Sequence, residues 1–268
     1  MLTQAKMDLT ISIVNWNVKE YLGPCLDSIF KYSDGIAFEV FVVDNASQDD
    51  SVEMVRKNFP SVSVIANTEN IGYGRAHNQI IPQAQGKYIL FLNPDTELLP
   101  GALSRILGFM EKHPEAGAVR CRELTKKEDV AREAVLLKKS SLLKHDLFRL
   151  LYKILPNRLT ASWYAQFVAQ SVALSRGVDI FGEEVALEGG LLLVRSKALR
   201  GTGGFEPRFF HGEEGIDLTR RLKKNGWKLY HLPTVKIIHY SLKSLEKLTD
   251  KEIETLRRDG KDSYVFSN

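Results

Sequence analysis

The sequence is poor in cysteine and has no long apolar run. Its two cysteines, Cys25 and Cys121, lack the spacing of a metal site, which favours a reducing compartment in which both are small core residues. The apolar stretches are far shorter than the ~20 residues that a membrane-spanning helix needs. The first residues also lack the apolar core of a signal peptide, and we therefore expect a cytoplasmic protein.

Two familiar phosphate-binding motifs are missing as well. The segment "NIGYGRAHN" (70–78) follows neither the G-x-G-x-x-G pattern nor a Walker loop with Lys-Ser/Thr, so dinucleotide-binding and NTPase functions lose support. "NWNVKEYL", after the first apolar segment, is not the Gly-rich basic loop that nucleotidyl transfer to sugar phosphates needs. The net charge of +4 reflects a local basic face rather than a nucleic-acid-binding composition.

The first 120 residues alternate between strand-like and helix-like patterns. The predicted strands cover 9–17, 38–47, 62–70 and 87–93, and the predicted helices cover 19–33, 50–58, 74–85 and 100–112. Near-continuous apolar strands between helices are typical of a Rossmann-like α/β fold, with a mostly parallel central sheet and helices on both faces. The second half is mixed, with short strands predicted at "WKLYHL" and "VKIIHY".

Polar side chains end each of the four predicted parallel strands. The ends are Asn15 to Asn17, Asp44 and Asn45, Asn67 to Gly72, and Asn93 to Asp95. Ligands of open parallel sheets bind beyond the carboxyl ends of the strands. Asn and Asp also favour turns and helix caps, so each end alone has a structural interpretation. Four such ends along one sheet edge favour a ligand site.

Asp95 and Glu97 directly follow the apolar strand "YILFL". Negative charge at the end of a buried strand is costly unless a partner compensates it. Carboxylates are suitable ligands for Mg2+ or Mn2+, and these ions in turn bind phosphates. The alternative is that Asp95 caps the helix that starts near Pro100 and that Glu97 is solvated. His239 closes a predicted strand that can return to this edge and complete the ligand set, although a single histidine is more often structural.

Two further segments each allow two interpretations. Glu213 and Glu214 precede a predicted helix, where acids commonly stabilise the helix dipole, but in a closed site one of them can act as a general base. Residues 134–158 combine leucines at helical spacing with lysines and arginines. This helix either covers a core with its lysines solvated, or lies on anionic lipid and brings the site to a lipid-linked acceptor.

Taken together, eight sequence blocks resemble, in order, the inverting family-two glycosyltransferases of the GT-A fold, particularly their rhamnosyltransferase-like branch. The blocks are "ISIVNWNVKEYLGPCLDSI", "VVDNASQDDSVEMV", "NTENIGYGRAHNQ", "FLNPDTELLPGAL", "GGLLLVRSKAL", "GGFEPRFF", "IDLTRRLKKNGWK" and "VKIIHYSLKS". The resemblance implies one GT-A domain over residues 1–244, and the spacing of Leu245, Leu248, Ile253 and Leu256 predicts an amphipathic helical tail over 245–268. The domain would comprise a nucleotide-sugar-binding half (1–120), a variable basic helical insertion (121–185) and an acceptor half (186–244).

The resemblance also implies site residues. The nucleotide-sugar site would comprise Asn15, Asn17, Asp44, Asn45, Gly72, Arg75, Asn78 and Asn93. In this alignment Asp44 contacts the base and ribose, and Arg75 and Asn78 lie beside the sugar-diphosphate. Asn93-Pro94-Asp95 matches the D-x-D motif, with Asp95 as the metal ligand, and His239 matches the histidine that completes the metal site.

The sequence departs from the family pattern at the catalytic base. The family usually reads Glu-Asp-x-Asp-Leu there, and Gly215 stands where the acid belongs. The expected base is therefore Glu214, or Glu213 after a one-residue shift. A protein that has lost turnover is the alternative.

The implied activity is metal-dependent, inverting transfer of a hexose or deoxyhexose from a UDP or dTDP sugar. The acceptor would be a saccharide, lipid-linked or free, in cell-envelope polysaccharide synthesis, with Mg2+ or Mn2+ as the cofactor. The basic segment leaves open a peripheral contact with the inner face of the cell membrane. A catalytically silent nucleotide-sugar-binding or scaffold protein of the same fold is the alternative from a non-enzyme class.

Overall fold

The computed structural model describes residues 7–124, 182–183, 186–187, 189–209 and 214–240. Glu213, the predicted basic helix over 134–158 and the predicted tail over 245–268 lie outside the described residues. Among the described helices, none is both long and apolar enough to cross a membrane.

The described chain folds into nine strands and six helices. The strands are β1 (Leu9–Asn15), β2 (Phe38–Asp44), β3 (Ser63–Ala66), β4 (Tyr88–Leu92), β5 (Thr96–Leu98), β6 (Ala116–Leu124), β7 (Gly182–Glu183), β8 (Leu191–Arg195) and β9 (Lys228–His239). The helices are α1 (Lys19–Lys31), α2 (Ser51–Asn58), α3 (Tyr73–Asn78), α4 (Ala102–Lys112), α5 (Ser196–Thr202) and α6 (Glu214–Lys224).

All nine strands form one sheet in the order β3-β2-β1-β4-β8-β6-β9-β5, with β7 paired to β9. Neighbouring strands from β3 to β4 are parallel, as the sequence predicts for its first half. In the second half β8 runs antiparallel to β4 and β6, while β9 runs parallel to β6 and antiparallel to β5 and β7. The predicted α/β architecture is confirmed, and the antiparallel pairs all lie beyond β4.

Two apolar clusters on opposite faces hold the sheet between its helices. Successive residues of β4 point to opposite faces, so Leu90 packs with α1 and α4 whereas Ile89 and Phe91 pack with Phe205 and α5. Every residue of β1 and β4 is buried. Burial on both faces explains why β4 reads as a continuous apolar run, whereas β1 includes the small polar residues Thr10 and Ser12 among its apolar ones.

Three elements differ from the sequence prediction. Helix α3 ends at Asn78, four residues before Pro82, because proline has no N–H to donate to the carbonyl of Asn78. Strand β5 was not predicted, because three residues are too few to show the two-residue alternation of a strand. β9 is one strand across Pro233, because the β6 ladder is interrupted between the partners Leu232 and Lys236, so proline's missing N–H disrupts no pairing there.

Candidate active site

The polar ends of the parallel strands meet at one edge of the sheet. Asn15 pairs with Asp44, which in turn pairs with Ala66 in parallel register. The pairing continues past the strands, since Asn45 N donates to Asn15 O at 2.9 Å and Asn67 N donates to Asp44 O at 2.8 Å. The predicted alignment of these ends is therefore confirmed.

The loops after β1 and β2 are tied together by their own side chains. Asn15 Nδ2 donates to Asp44 Oδ2 at 2.8 Å, and Asp44 Oδ1 accepts the backbone N–H of Ser47 at 2.8 Å. Asn17 has a positive φ of 54°, and its side-chain oxygen accepts from Gln48 N at 2.7 Å. The predicted nucleotide-pocket residues thus lie together and hold each other in place; their contact with a nucleotide stays a prediction.

A chain of amides connects β2 to the glycine loop. Asn67 Nδ2 donates to Asn45 Oδ1 at 2.9 Å, Asn45 Nδ2 donates to Asn70 Oδ1 at 3.1 Å, and Asn70 Oδ1 also accepts Gly72 N at 3.0 Å. Gly72 has a φ of 86°, a conformation that glycine adopts without a steric penalty. The predicted loop residues Asn45 and Gly72 therefore belong to one connected rim.

Helix α3 uses its polar side chains to hold the segment before α6. Arg75 Nε donates to Pro207 O at 2.7 Å. Asn78 donates to Phe205 O at 2.8 Å and accepts from Phe205 N at 2.9 Å. These contacts give Arg75 and Asn78 a structural role, and their predicted contact with a sugar-diphosphate is untested.

Asp95 and His239 lie next to each other beyond the end of β4. The ladder between β5 and β9 pairs Thr96 with His239, and Asp95 Oδ1 lies 3.3 Å from His239 Nε2. Asn93 Nδ2 lies 3.2 Å from the same ring nitrogen. Asp95 is 6% exposed and His239 8% exposed. The prediction that β9 returns His239 to the edge of Asp95 is confirmed.

The structural interpretation of the acidic pair is not supported. Helix α4 begins after Gly101, which occupies its N-cap position, so Asp95 is not the cap. Glu97 accepts a hydrogen bond from the Tyr240 hydroxyl at 2.5 Å instead of being solvated.

Sequence reasoning missed Glu123, which holds the other side of the His239 ring. Its Oε2 accepts from His239 Nδ1 at 2.5 Å, and its Oε1 accepts from Gly190 N and from Arg120. Burial lowers the pKa of His239, but its hydrogen bonds with Asp95 and Glu123 outweigh burial and raise the pKa to about 9. An acid close to two arginines within the predicted strand-like segment "AGAVRCREL" was the signal available in the sequence.

Asp95 and His239 offer a divalent ion two ligands. Within the residues that the structure describes, no group of three or more His, Cys, Asp or Glu side chains is arranged to hold a metal. Mg2+ commonly takes one or two carboxylates and completes its shell with substrate phosphates and water, and imidazole nitrogen also suits Mn2+. The donor set therefore fits an ion shared with a phosphate-bearing substrate.

Glu214 is the first residue of α6 and is 4% exposed. It lies beside α3, because a Cβ atom added to Gly74 would be 3.6 Å from Glu214 Cγ. Further along α6, Asp217 accepts from Arg221 Nε at 2.8 Å, and this arginine also donates to Thr202 O and Gly204 O. The candidate base Glu214 is therefore positioned by packing between α6 and the glycine-containing helix.

Comparisons with known proteins agree with this arrangement. Residues 10–169 match the model of the family described as Glycosyl transferase family 2. The chain is 26% identical over 238 residues to the N-acetylglucosaminyl-diphospho-decaprenol L-rhamnosyltransferase of Mycobacterium tuberculosis, with 85% of this chain and 73% of the relative covered. It is 28% identical over 110 residues to the minor teichoic acid biosynthesis protein GgaB of Bacillus subtilis, covering 40% of this chain and 12% of that protein.

Two solved structures share the fold. Residues 1–349 of TarS from S. aureus superpose with a TM-score of 0.62 at 15% identity, covering 96% of this chain and 72% of that one. The mannosyltransferase PcManGT from Pyrobaculum calidifontis, in complex with GDP-Man and Mn2+, gives a TM-score of 0.58 at 16% identity, covering 98% and 71%. Because the family model covers more than half of the chain, the protein belongs to glycosyl transferase family 2, and it is a glycosyltransferase with a GT-A fold.

Proposed function

We propose that the protein transfers a sugar from a nucleoside-diphosphate sugar to a saccharide acceptor in cell-envelope polysaccharide synthesis, with inversion at the anomeric carbon. The observation that carries this proposal is the contact between Asp95 and His239 at the sheet edge where Asn15 and Asp44 also end. A carboxylate-imidazole pair at the same sheet edge as the polar strand ends suits a ligand that combines a nucleoside with a diphosphate.

The donor site divides between two groups of residues. Asn15, Asp44 and the amide chain after β2 form the part that suits a base and ribose. Asp95 and His239 would hold Mg2+ or Mn2+, which when bound neutralises the charge of the diphosphate leaving group. A TarS complex contains UDP-GlcNAc, and the PcManGT complex contains GDP-Man and Mn2+, which supports a nucleotide-sugar donor, here of the UDP or dTDP type.

The acceptor we propose is a saccharide carried on a lipid diphosphate. The relative that matches over most of its length is a rhamnosyltransferase named for N-acetylglucosaminyl-diphospho-decaprenol, and GgaB is named for teichoic acid synthesis. Peripheral membrane contact through residues 134–158 would suit such an acceptor. That contact stays a prediction, since the segment lies outside the described residues.

Glu214 is the general base that we propose. Its carboxylate takes the proton of the acceptor hydroxyl while the hydroxyl oxygen bonds to the anomeric carbon from the side opposite the diphosphate. The bond to the diphosphate oxygen breaks in the same step, and the diphosphate leaves with its electron pair. One displacement inverts the carbon and needs no second nucleophile. Gly215 has no side chain for this task, and Glu213 is the alternative base.

We expect Glu214→Gln to lower kcat by about 10²- to 10⁴-fold, the range for loss of a general base, with little change in donor KM. The substitution keeps the size of the side chain but removes its ability to accept a proton. Steady-state kinetics with varied donor would measure both constants, and Glu111→Gln, on α4 beside Tyr88 at the start of β4, is the matched control. If Glu214→Gln keeps the wild-type kcat and Glu213→Gln loses most of it, the general base is Glu213 instead of Glu214.

The function itself is tested by incubating the full chain with Mn2+ and a panel of UDP and dTDP sugars. The acceptor would be synthetic prenyl-diphosphate N-acetylglucosamine, with the product identified by mass spectrometry and its anomeric configuration by NMR. We expect transfer with inversion for one donor. Tight binding of UDP or dTDP with neither transfer nor donor hydrolysis would instead support the silent binding protein that Gly215 keeps open.

A further inference from the structure

Glu123 lies on the face of the sheet that carries His239. β6 and β9 run parallel, and Glu123 pairs with Ile237, two residues before His239. Residues two apart on a strand point to the same face, and paired residues on neighbouring strands share that face. The position of Glu123 against the ring therefore follows from the register of this ladder.

All the hydrogen bonds that the structure records for the Glu123 carboxylate point inward. Oε2 faces His239 Nδ1 at 2.5 Å, while Oε1 accepts from Gly190 N at 2.8 Å and from Arg120 Nη2 at 2.9 Å. Glu123 is 7% exposed and Arg120 is fully buried. A buried carboxylate with a positive partner and a backbone donor is held in one orientation.

The glycines opposite this carboxylate provide an independent observation. A Cβ atom on Gly189 would lie within van der Waals overlap of Glu123 Oε1 and 3.0 Å from Arg120 Nη2. A Cβ atom on Gly190 would lie 2.7 Å from Cε1 and Nδ1 of the His239 ring. The start of β8 is thus shaped around the carboxylate and the imidazole together, and a side chain at either position would displace them.

We infer that Glu123 is a positioning residue that sets the orientation and tautomer of His239 for a divalent ion. A carboxylate accepts hydrogen bonds, so Glu123 keeps a proton on Nδ1, and the ion would take Nε2 in place of the proton that this nitrogen holds toward Asp95 at 3.3 Å. Histidines that bind metals commonly donate their other ring N–H to a carboxylate. The inference rests on the proposed metal site and adds the residue that prepares it.

The test compares Mn2+ affinity in Glu123→Gln and wild type. The side-chain oxygen of a glutamine can accept the hydrogen bonds from Arg120 and Gly190. Its NH2 group then points toward Nδ1 of His239, which favours the tautomer with the proton on Nε2. We expect the dissociation constant for Mn2+, measured by electron paramagnetic resonance with UDP and in parallel with dTDP, to rise about 10- to 100-fold. Glu123→Asp, which keeps the charge, should recover part of this loss, and Glu111→Gln should match wild type.

A second measurement needs no variant at position 123. In wild type with Mg2+ and the same nucleotides, ¹⁵N NMR of the His239 ring, assigned by its disappearance in His239→Gln, should show a protonated Nδ1 and an Nε2 without a proton. An unprotonated Nδ1, or equal Mn2+ affinity in wild type and a folded Glu123→Gln, would overturn the inference and leave the proposed function intact. Failure of wild type to bind Mn2+ with either nucleotide would contradict the proposed metal site itself.

Discussion

Asp95→Asn should reduce kcat/KM for sugar transfer by about 10³-fold or more. The substitution preserves the size of the side chain and removes the negative charge that, in our proposal, holds the divalent ion. Metal stabilisation of a leaving group contributes several kcal/mol, and about 4 kcal/mol corresponds to a factor of about 10³. The loss should be large because, among the described residues, no group of three or more His, Cys, Asp or Glu side chains is arranged to hold a metal without Asp95.

The measurement is a donor titration after removal of metal with EDTA and readdition of Mn2+. Wild type should regain its activity with Mn2+, whereas Asp95→Asn should stay inactive at every Mn2+ concentration. Asp34→Asn changes an exposed carboxylate and is the matched control. An Asp95→Asn chain that keeps more than a tenth of wild-type kcat/KM, with an unchanged response to Mn2+, would contradict the metal role of Asp95.

Arg120→Met should lower the free energy of unfolding by about 3–5 kcal/mol, the range for breaking a buried ion pair. Arg120 is fully buried and donates to Glu123 Oε1 at 2.9 Å and to Cys121 O at 3.2 Å. Methionine fills a similar volume but takes from the buried Glu123 carboxylate one of its two positive partners, the other being His239. The cost therefore comes mainly from a buried carboxylate that loses part of its charge compensation and not from lost apolar packing.

Urea denaturation monitored by tryptophan fluorescence would measure this change in stability. Arg105→Met, at an exposed arginine, is the control. The double variant Arg120→Met, Glu123→Leu should be more stable than the sum of the single changes predicts, by about 1–3 kcal/mol, because both charges are then removed. A stability of Arg120→Met within about 0.5 kcal/mol of wild type would show that the pair is not buried as described.

Several parts of this site could be read from the sequence. Asn15 and Asp44 end apolar strands of a βα pattern, and strands in such a pattern run parallel, so their carboxyl ends fall on one edge. The placement of Asp95 follows in the same way from the strand before it. His239 was harder, because 146 residues separate it from Asn93, which its ring contacts, and the eight ordered blocks of the family resemblance supplied the expectation.

Other parts of the site could not be predicted from the sequence. The contact of Arg75 and Asn78 with a sugar-diphosphate stays a prediction, and the structure adds that both side chains also bind the backbone of Phe205 or Pro207. Glu123 looks like an ordinary charged residue at the end of a strand, but the structure places it against His239. In each case the contact joins segments whose pairing no local pattern encodes.

The sequence by itself determined the class of fold, the polar strand ends and the carboxylate beyond β4, because hydrophobic period and turn chemistry are local properties of the chain. Only the tertiary structure decided that β6 lies beside β9, that a carboxylate therefore holds the histidine ring, and that two glycines leave room for both. Strand order and register depend on how all the elements pack at once, and no stretch of sequence records them alone.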